Sequence, residues 1–266
     1  MSKSTCSTFE LFNLIPDAEA ARLYLEERLW PNGPMCPDCC TVKRITAFKN
    51  RKGVYRCGQC KGDFSVRTGT IFERSHVPLH KWVYAMYLVV TARKGISSMQ
   101  LAKEIGVTQK TAWFVLGRLR EACGGNDNTM LQGIVEVDET FVGGKAKNMH
   151  KNVRAKAMAA PDTFKGKKIV VGLIQRGGRV KAGVVPNRGK ETLHYLVDRH
   201  VSPDAMVVTD EHHPYKGIKQ CHVMVNHGEA EYARGDIHTN TIESVWAVLK
   251  RSINGTWHQV SPSSPW

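Results

Sequence analysis

The chain has 266 residues, 42% of them hydrophobic, and carries 38 Lys and Arg against 24 Asp and Glu, a formal net charge of +14. That length allows one large domain or two to three small ones with a substantial core. The longest apolar run, Trp82 to Val90, is too short to cross a bilayer, and Met1 to Phe12 lacks the apolar region and cleavage site of a signal peptide. A cytoplasmic protein with no membrane partner is therefore expected. The cationic surplus favours a polyanionic partner, most often nucleic acid. Eight cysteines without a secretion signal argue for metal ligands or buried thiols rather than disulfides.

The first element in chain order is an amphipathic helix over Pro16 to Trp30, with Asp17 near its start, expected to pack on the cysteine-rich module next in the chain. In that module Cys36-Pro-Asp-Cys39 and Cys57-Gly-Gln-Cys60 are two C-x-x-C pairs separated by seventeen residues. Each pair can aim two thiolates at one ion from a tight turn, and four thiolates complete a tetrahedral structural Zn²⁺ site. The segment between them reads as a hairpin turning at Asn-Arg-Lys-Gly. Cys40 could compete as a ligand, but Cys39 alone completes a C-x-x-C with Cys36. Cys6, Cys123 and Cys221 stand alone and read as buried small apolar residues.

His80 to Thr91 has an apolar helical pattern. Ser97 or Ser98 then caps a helix that runs to Ile105 and stops at Gly106. A further helix opens at Thr108 or Gln109, with Ala112, Val115, Leu116 and Leu119 on one face. This pair fits a helix-turn-helix whose second helix enters the DNA major groove, the alternative being an ordinary helical hairpin. Gln109, Lys110 and Thr111 are the candidates for base contact, and Arg118 and Arg120 for phosphate contact.

From Gly133 the periodicity changes to that of an α/β domain. GIVEVDETFVGG is a strand containing Asp138, and two strands flank the Gly177-Gly178 turn. ETLHYLVDRHV is a helix, AMVVTD a short strand ending on Asp210, and HVMVNHG another strand. DIHTNTIESVWAVLKR closes the set as an amphipathic helix with Asn240 and Glu243 at its start. Asp138 and Asp210 are 72 positions apart, and Asp210 and Glu243 are 33 apart. Buried carboxylates are unfavourable unless paired or metal-bound, and converging ones form a hard oxygen site suited to Mg²⁺ or Mn²⁺. On spacing alone Asp138 could instead be a strand-edge residue and Asp210 a turn residue. Asn240 and Glu243 also fit a capping box. No P-loop, nucleophile elbow or H-E-x-x-H offers a competing mechanism or calls for a small-molecule cofactor.

The succession CPDC…CGQC, LAKEIGVTQKTAW, VEVDETFVGG, VVTDEHHPY and HTNTIESVWAVLKR resembles bacterial insertion-sequence transposases of the DDE/N type with an N-terminal zinc ribbon. The resemblance runs from about Phe9 to Pro262. It implies a multidomain α+β protein: a helix and zinc ribbon (1–75), a helix-turn-helix module (76–125), and an RNase H-like α/β domain with a mixed sheet (126–266). It implies cleavage of double-stranded DNA at terminal inverted repeats and joining of the freed 3′-OH to target DNA, by a homo-oligomer that pairs two element ends. Asp138 and Asp210 would be metal ligands, with the third supplied by Asn240 or Glu243, of which Glu243 is the stronger by charge.

The basic stretch after Asp138, with Lys145, Lys147, Lys151, Arg154 and Lys156, would then hold DNA phosphates near the metals. His238 would orient a scissile phosphate or bond locally. Members of the family usually continue past the last helix, whereas this chain stops at GTWHQVSPSSPW, so its C-terminus reads as shortened. A non-catalytic DNA-binding protein derived from a transposase is the alternative reading.

Overall fold

Two apolar cores organise the N-terminal part of the computed structural model, which describes residues 6–124, 128–144, 148–159, 163–164, 167–210, 213–225 and 238–257. The chain divides near residue 125 into two compact units.

In the first unit, Ser7 and Glu10 form a reciprocal capping box that starts α1 (Thr8–Leu14), a helix not anticipated from the sequence. Asp17 accepts from the Ala20 N–H at 2.8 Å and starts α2 (Ala18–Leu29). Helices α3 (Leu79–Thr91), α4 (Ser98–Ile105) and α5 (Gln109–Cys123) complete the helical set. Ser97 caps α4 and Thr108 caps α5, each accepting a backbone N–H of the first turn. Between them Gly106 adopts the left-handed conformation, with φ at 59°, that ends α4. Leu11, Ala21, Leu25, Phe72, Trp82, Leu101, Val115 and Leu119 share one core.

The second, smaller core belongs to β1 (Ile45–Ala47), β2 (Tyr55–Cys57) and β3 (Asp63–Phe64), an antiparallel sheet in chain order. The expected hairpin is present, with Ile45 opposite Cys57 and Ala47 opposite Tyr55. Trp30 meets Tyr55 and Phe64 edge-on at 5.7 and 5.6 Å between ring centroids. The hydroxyl of Tyr55 donates to Glu26 at 3.0 Å. Helix α2 thus touches the ribbon as expected, while Ala21 and Leu25 anchor it in the helical core.

The second unit is a mixed sheet built on β4 (Ile134–Val142). Strand β6 (Lys167–Gln175) pairs antiparallel with β4, and β7 (Val180–Val185) antiparallel with β6. On the other side β8 (Met206–Thr209) and then β9 (Cys221–Met224) run parallel to β4. The order is therefore β7-β6-β4-β8-β9, with the short β5 (Thr163–Phe164) pairing with the start of β6.

Side-chain alternation sends Val135, Val137, Val171 and Leu173 to one face, where they pack with Leu193 and Val197 of α7 (Lys190–His200). Val170 and Ile174 point to the other face and meet Ile242 and Trp246 of α8 (Asn240–Ser252). Burying these large side chains contributes about 1.5–3 kcal/mol each. A further helix, α6 (Lys151–Ala159), lies in the basic stretch expected to approach DNA. Among the described residues no helix is long and apolar enough to cross a membrane.

Candidate active site

The aspartates meet because of strand register. Ile134 lies beside Met206, Val135 beside Val207 and Glu136 beside Val208, a constant offset of 72. The same offset separates Asp138 from Asp210, so continuing the register brings the two carboxylates together where β8 ends. Glu139 joins them: carboxylate oxygens of Asp138, Glu139 and Asp210 lie within 4.8 Å of one another, all half-buried. The sequence reading missed Glu139, because alternation assigns it to the opposite face from Asp138. An adjacent Asp-Glu pair at the open end of a strand was the available signal.

Burial raises the carboxyl pKa of Asp138 above the usual range; Asp210 and Glu243 push the same way, against the Glu139 backbone N–H and the Trp246 indole. The Glu139 carboxyl is pushed up to about 7, by burial first and then by the charges of Asp210 and Asp138. Tyr215 is buried near Glu139, and its hydroxyl pKa rises, chiefly through burial and then through the charges of Glu139, Asp210 and Asp138. Three crowded carboxylates with no sulfur or imidazole among them are the donor set of a hard divalent cation such as Mg²⁺ or Mn²⁺, whose charge would relieve this repulsion.

Asp138 is held from across the sheet. Trp246 donates its indole Nε1–H to Asp138 Oδ2 at 2.9 Å. The ring reaches it by lying over Gly172, the residue opposite Asp138 on β6. A Cβ at that glycine would stand 2.5 Å from Trp246 Cη2.

Asn240 and Glu243 lie in the first turn of α8, both exposed, and the Glu243 carboxylate is outside the close group of three. Glu243 is near enough for its charge to act on Asp138. The capping-box reading is corrected: Thr239 is the N-cap residue, which moves Asn240 one place inside the helix and Glu243 one place too far along. The N-terminal amide is satisfied from outside the helix, by Glu136. This fully buried residue accepts from Ile242 N–H at 3.0 Å and from Thr241 Oγ1 at 2.8 Å. His238 bonds locally, its Nδ1 lying 3.2 Å from Arg176 and 3.5 Å from Glu136.

In the ribbon, Cys36, Cys39, Cys57 and Cys60 converge, with Cys36 and Cys60 Sγ atoms 3.5 Å apart and Cys39 and Cys57 3.6 Å apart. A tetrahedron with Zn–S bonds of about 2.3 Å has edges of about 3.8 Å, so the cluster matches such an ion. Backbone N–H groups, that of Cys60 first, hold the Cys57 thiol down to about 7. Cys40 is exposed, with φ at 55°, and stays outside the cluster.

Cys6, Cys123 and Cys221 are exposed rather than buried, a second correction. They occupy the approach to α1, the last position of α5 and the first of the outer strand β9, where little packs over them.

Of the residues expected to touch DNA, Gln109 and Lys110 are exposed and Thr111 half-buried in the first turn of α5. Arg118 is placed differently. It donates to the carbonyls of Ile71 at 2.7 Å and Glu73 at 2.5 Å and lies 4.6 Å over the Phe114 ring. Its guanidinium therefore fastens a loop of the protein itself. Lys145 and Lys147 lie outside the described residues. Lys151, Arg154 and Lys156 are exposed on α6.

Residues 130–264 match the ISXO2-like transposase domain, and residues 16–62 match the transposase zinc-ribbon domain. The chain is similar to an uncharacterized protein in transposable element ISH50 of Halobacterium salinarum. The two are 29% identical over 253 residues, 89% of this chain and 83% of that protein. A cryoEM structure of a simian T-cell lymphotropic virus intasome in complex with PP2A regulatory subunit B56 gamma overlaps 56% of this chain and 52% of its own. Its 13% identity and TM-score of 0.24 lend no weight to any reading.

Proposed function

The chain belongs to the ISXO2-like transposases, with their zinc ribbon, and from that premise we propose that it is the DNA transposase of an insertion sequence. It binds the terminal inverted repeats, cuts a strand at each, and transfers the freed 3′-OH to target DNA. The observation that carries the reading is the parallel register that sets Asp138 beside Asp210 with Glu139 in reach. The strand order, three antiparallel strands followed by two parallel ones, supports an RNase H-like catalytic unit.

Phosphoryl transfer leaves a protein little covalent work; its task is to place charge and align the attacking oxygen. Asp138 and Asp210 would hold Mg²⁺ or Mn²⁺, with Glu139 within reach and Glu243 supplied by the first turn of α8. Asn240, in the same first turn, is the neutral alternative to Glu243 as a further ligand. When bound, the ion neutralises charge on the attacking and leaving oxygens. Trp246 keeps Asp138 turned towards the site by its hydrogen bond. The four ribbon cysteines hold a structural Zn²⁺.

Helices α4 and α5 act as the helix-turn-helix, presenting Gln109, Lys110 and Thr111 to base edges. Lys151, Arg154 and Lys156, with Lys145 and Lys147 before them in sequence, hold phosphates. Synapsis of two element ends calls for a multimer.

The test is cleavage and strand transfer on repeat-end DNA with Mg²⁺ or Mn²⁺. Asp138→Asn and Asp210→Asn are expected to abolish cleavage while DNA binding persists. Equal activity in the variants would refute the metal assignment. Binding without cleavage by the unaltered chain would favour a non-catalytic DNA-binding protein.

A further inference from the structure

Glu136 has no place in the phosphoryl-transfer scheme, yet it is one of the most completely buried charged side chains described, with no exposed surface. A carboxylate in such a position needs several donors, and four groups converge on it. Oε1 accepts from Arg176 Nε at 2.9 Å and Thr241 Oγ1 at 2.8 Å, and lies 3.5 Å from His238 Nδ1. Oε2 accepts from the Ile242 backbone N–H at 3.0 Å.

Two of these donors belong to the first turn of α8, whose own N-cap residue makes no side-chain cap bond. The carboxylate supplies from the strand what the helix lacks, and its charge suits the positive end of the helix dipole. Arg176 secures the segment leading into the helix by donating to the His238 carbonyl at 3.0 Å.

A second clamp lies one helical turn on, where Trp246 donates to Asp138. Ile242 and Trp246 are four residues apart on a helix, a rise of about 6 Å. Glu136 and Asp138 are two apart on a strand, a rise of about 6.7 Å. The two pitches nearly match, so α8 lies along β4 with both clamps closed at once. Sliding the helix by one residue opens both.

We infer that Glu136 is a positioning residue: its buried carboxylate, compensated by Arg176, fixes the register of α8 on β4 and so aims the first turn of that helix at the Asp138 and Asp210 carboxylates. Its consequence for DNA cleavage rests on the transposase reading, whereas its control of helix register does not.

The experiment uses the full-length protein and compares Glu136→Gln, Glu136→Gln/Arg176→Gln and the milder Thr241→Val. Hydrogen exchange of the α8 first-turn amides, the Trp246 indole N–H resonance, and Mn²⁺ affinity by electron paramagnetic resonance are read beside thermal stability and repeat-end cleavage. Glu136→Gln is expected to exchange at least tenfold faster in the first turn of α8, shift the Trp246 resonance, and bind Mn²⁺ about tenfold more weakly. Thr241→Val, which keeps the Arg176 pair, should move each readout the same way by a smaller factor.

The double variant removes the uncompensated arginine and should regain thermal stability without regaining Mn²⁺ affinity or the Trp246 resonance. If all of these recover together with stability, or if Glu136→Gln leaves exchange and Mn²⁺ affinity within twofold of the unaltered protein, the positioning role is overturned. An unaltered protein that binds Mn²⁺ but does not cut repeat ends would refute the transposase reading, while exchange and resonance would still decide the anchor.

Discussion

Replacing Gly172 with alanine puts a methyl group where the Trp246 ring now lies. The new Cβ would sit 2.5 Å from Cη2 and 2.6 Å from Cζ2, whereas carbon atoms in contact prefer about 3.5–4.0 Å. The indole must retreat by about 1 Å, which stretches its 2.9 Å bond to Asp138 beyond hydrogen-bonding range. Overpacking costs about 1–3 kcal/mol and a lost hydrogen bond to a carboxylate about 1.5–3 kcal/mol. Because one ring movement partly relieves the first by incurring the second, about 2–4 kcal/mol is expected in total.

In a unit of this size that lowers the melting temperature by roughly 5–15 °C, read by calorimetry on the full chain. The sign is itself diagnostic, since glycine to alanine in an uncrowded strand would stabilise by about 0.4–1 kcal/mol. Adding Trp246→Phe should recover stability by removing the crowded ring atoms, but not cleavage, because Asp138 still lacks its donor. A Gly172→Ala protein that melts at or above the parent temperature and cleaves normally would refute the reasoning.

The same geometry leads to other expectations. Cys36→Ser or Cys57→Ser should abolish binding of one zinc per chain and unfold the ribbon, checked by metal analysis and circular dichroism. Folded Glu139 keeps a proton that the unfolded chain releases above its ordinary value of 4.5, so without metal the stability of this unit falls as pH rises towards about 7 and then levels off. Mn²⁺ competes with that proton, so the rise in melting temperature on adding Mn²⁺ should grow over the same window. A pH-independent rise would contradict it. Lys110→Ala should weaken DNA binding and reduce the salt slope by about 1, measured by titration at several salt concentrations. Arg118→Ala should instead lower thermal stability by about 1–3 kcal/mol, because it leaves the Ile71 and Glu73 carbonyls without their donor.

Local chemistry was legible in the sequence where it repeats or punctuates. The C-x-x-C pairs fixed which sulfurs converge, Gly106 marked the end of α4, and alternating apolar residues gave β4 with Asp138 inside it. Placing Asp210 beside Asp138 required a parallel register across 72 positions, which motif spacing suggests but cannot impose. Glu136 and Trp246 were less visible because their partners come from other elements: a carboxylate on a strand caps a helix, and a glycine on a neighbouring strand admits an indole. The internal role of Arg118 was hidden for a similar reason. Its helical position looks outward-facing, but a loop more than forty residues earlier supplies the carbonyls it binds.

The pairing of β4 with β8 also says what kind of change this protein can absorb. The 72 positions between the aspartates include turns and connections whose length does not enter the strand pairing at all. Insertions there would renumber Asp210 without moving it. Parity is what matters: one residue added or lost within β8 itself, between its pairing with β4 and its end, would turn the carboxylate to the other face of the sheet. Among related chains the interval between these aspartates should vary freely, while the phase of each within its own strand should not.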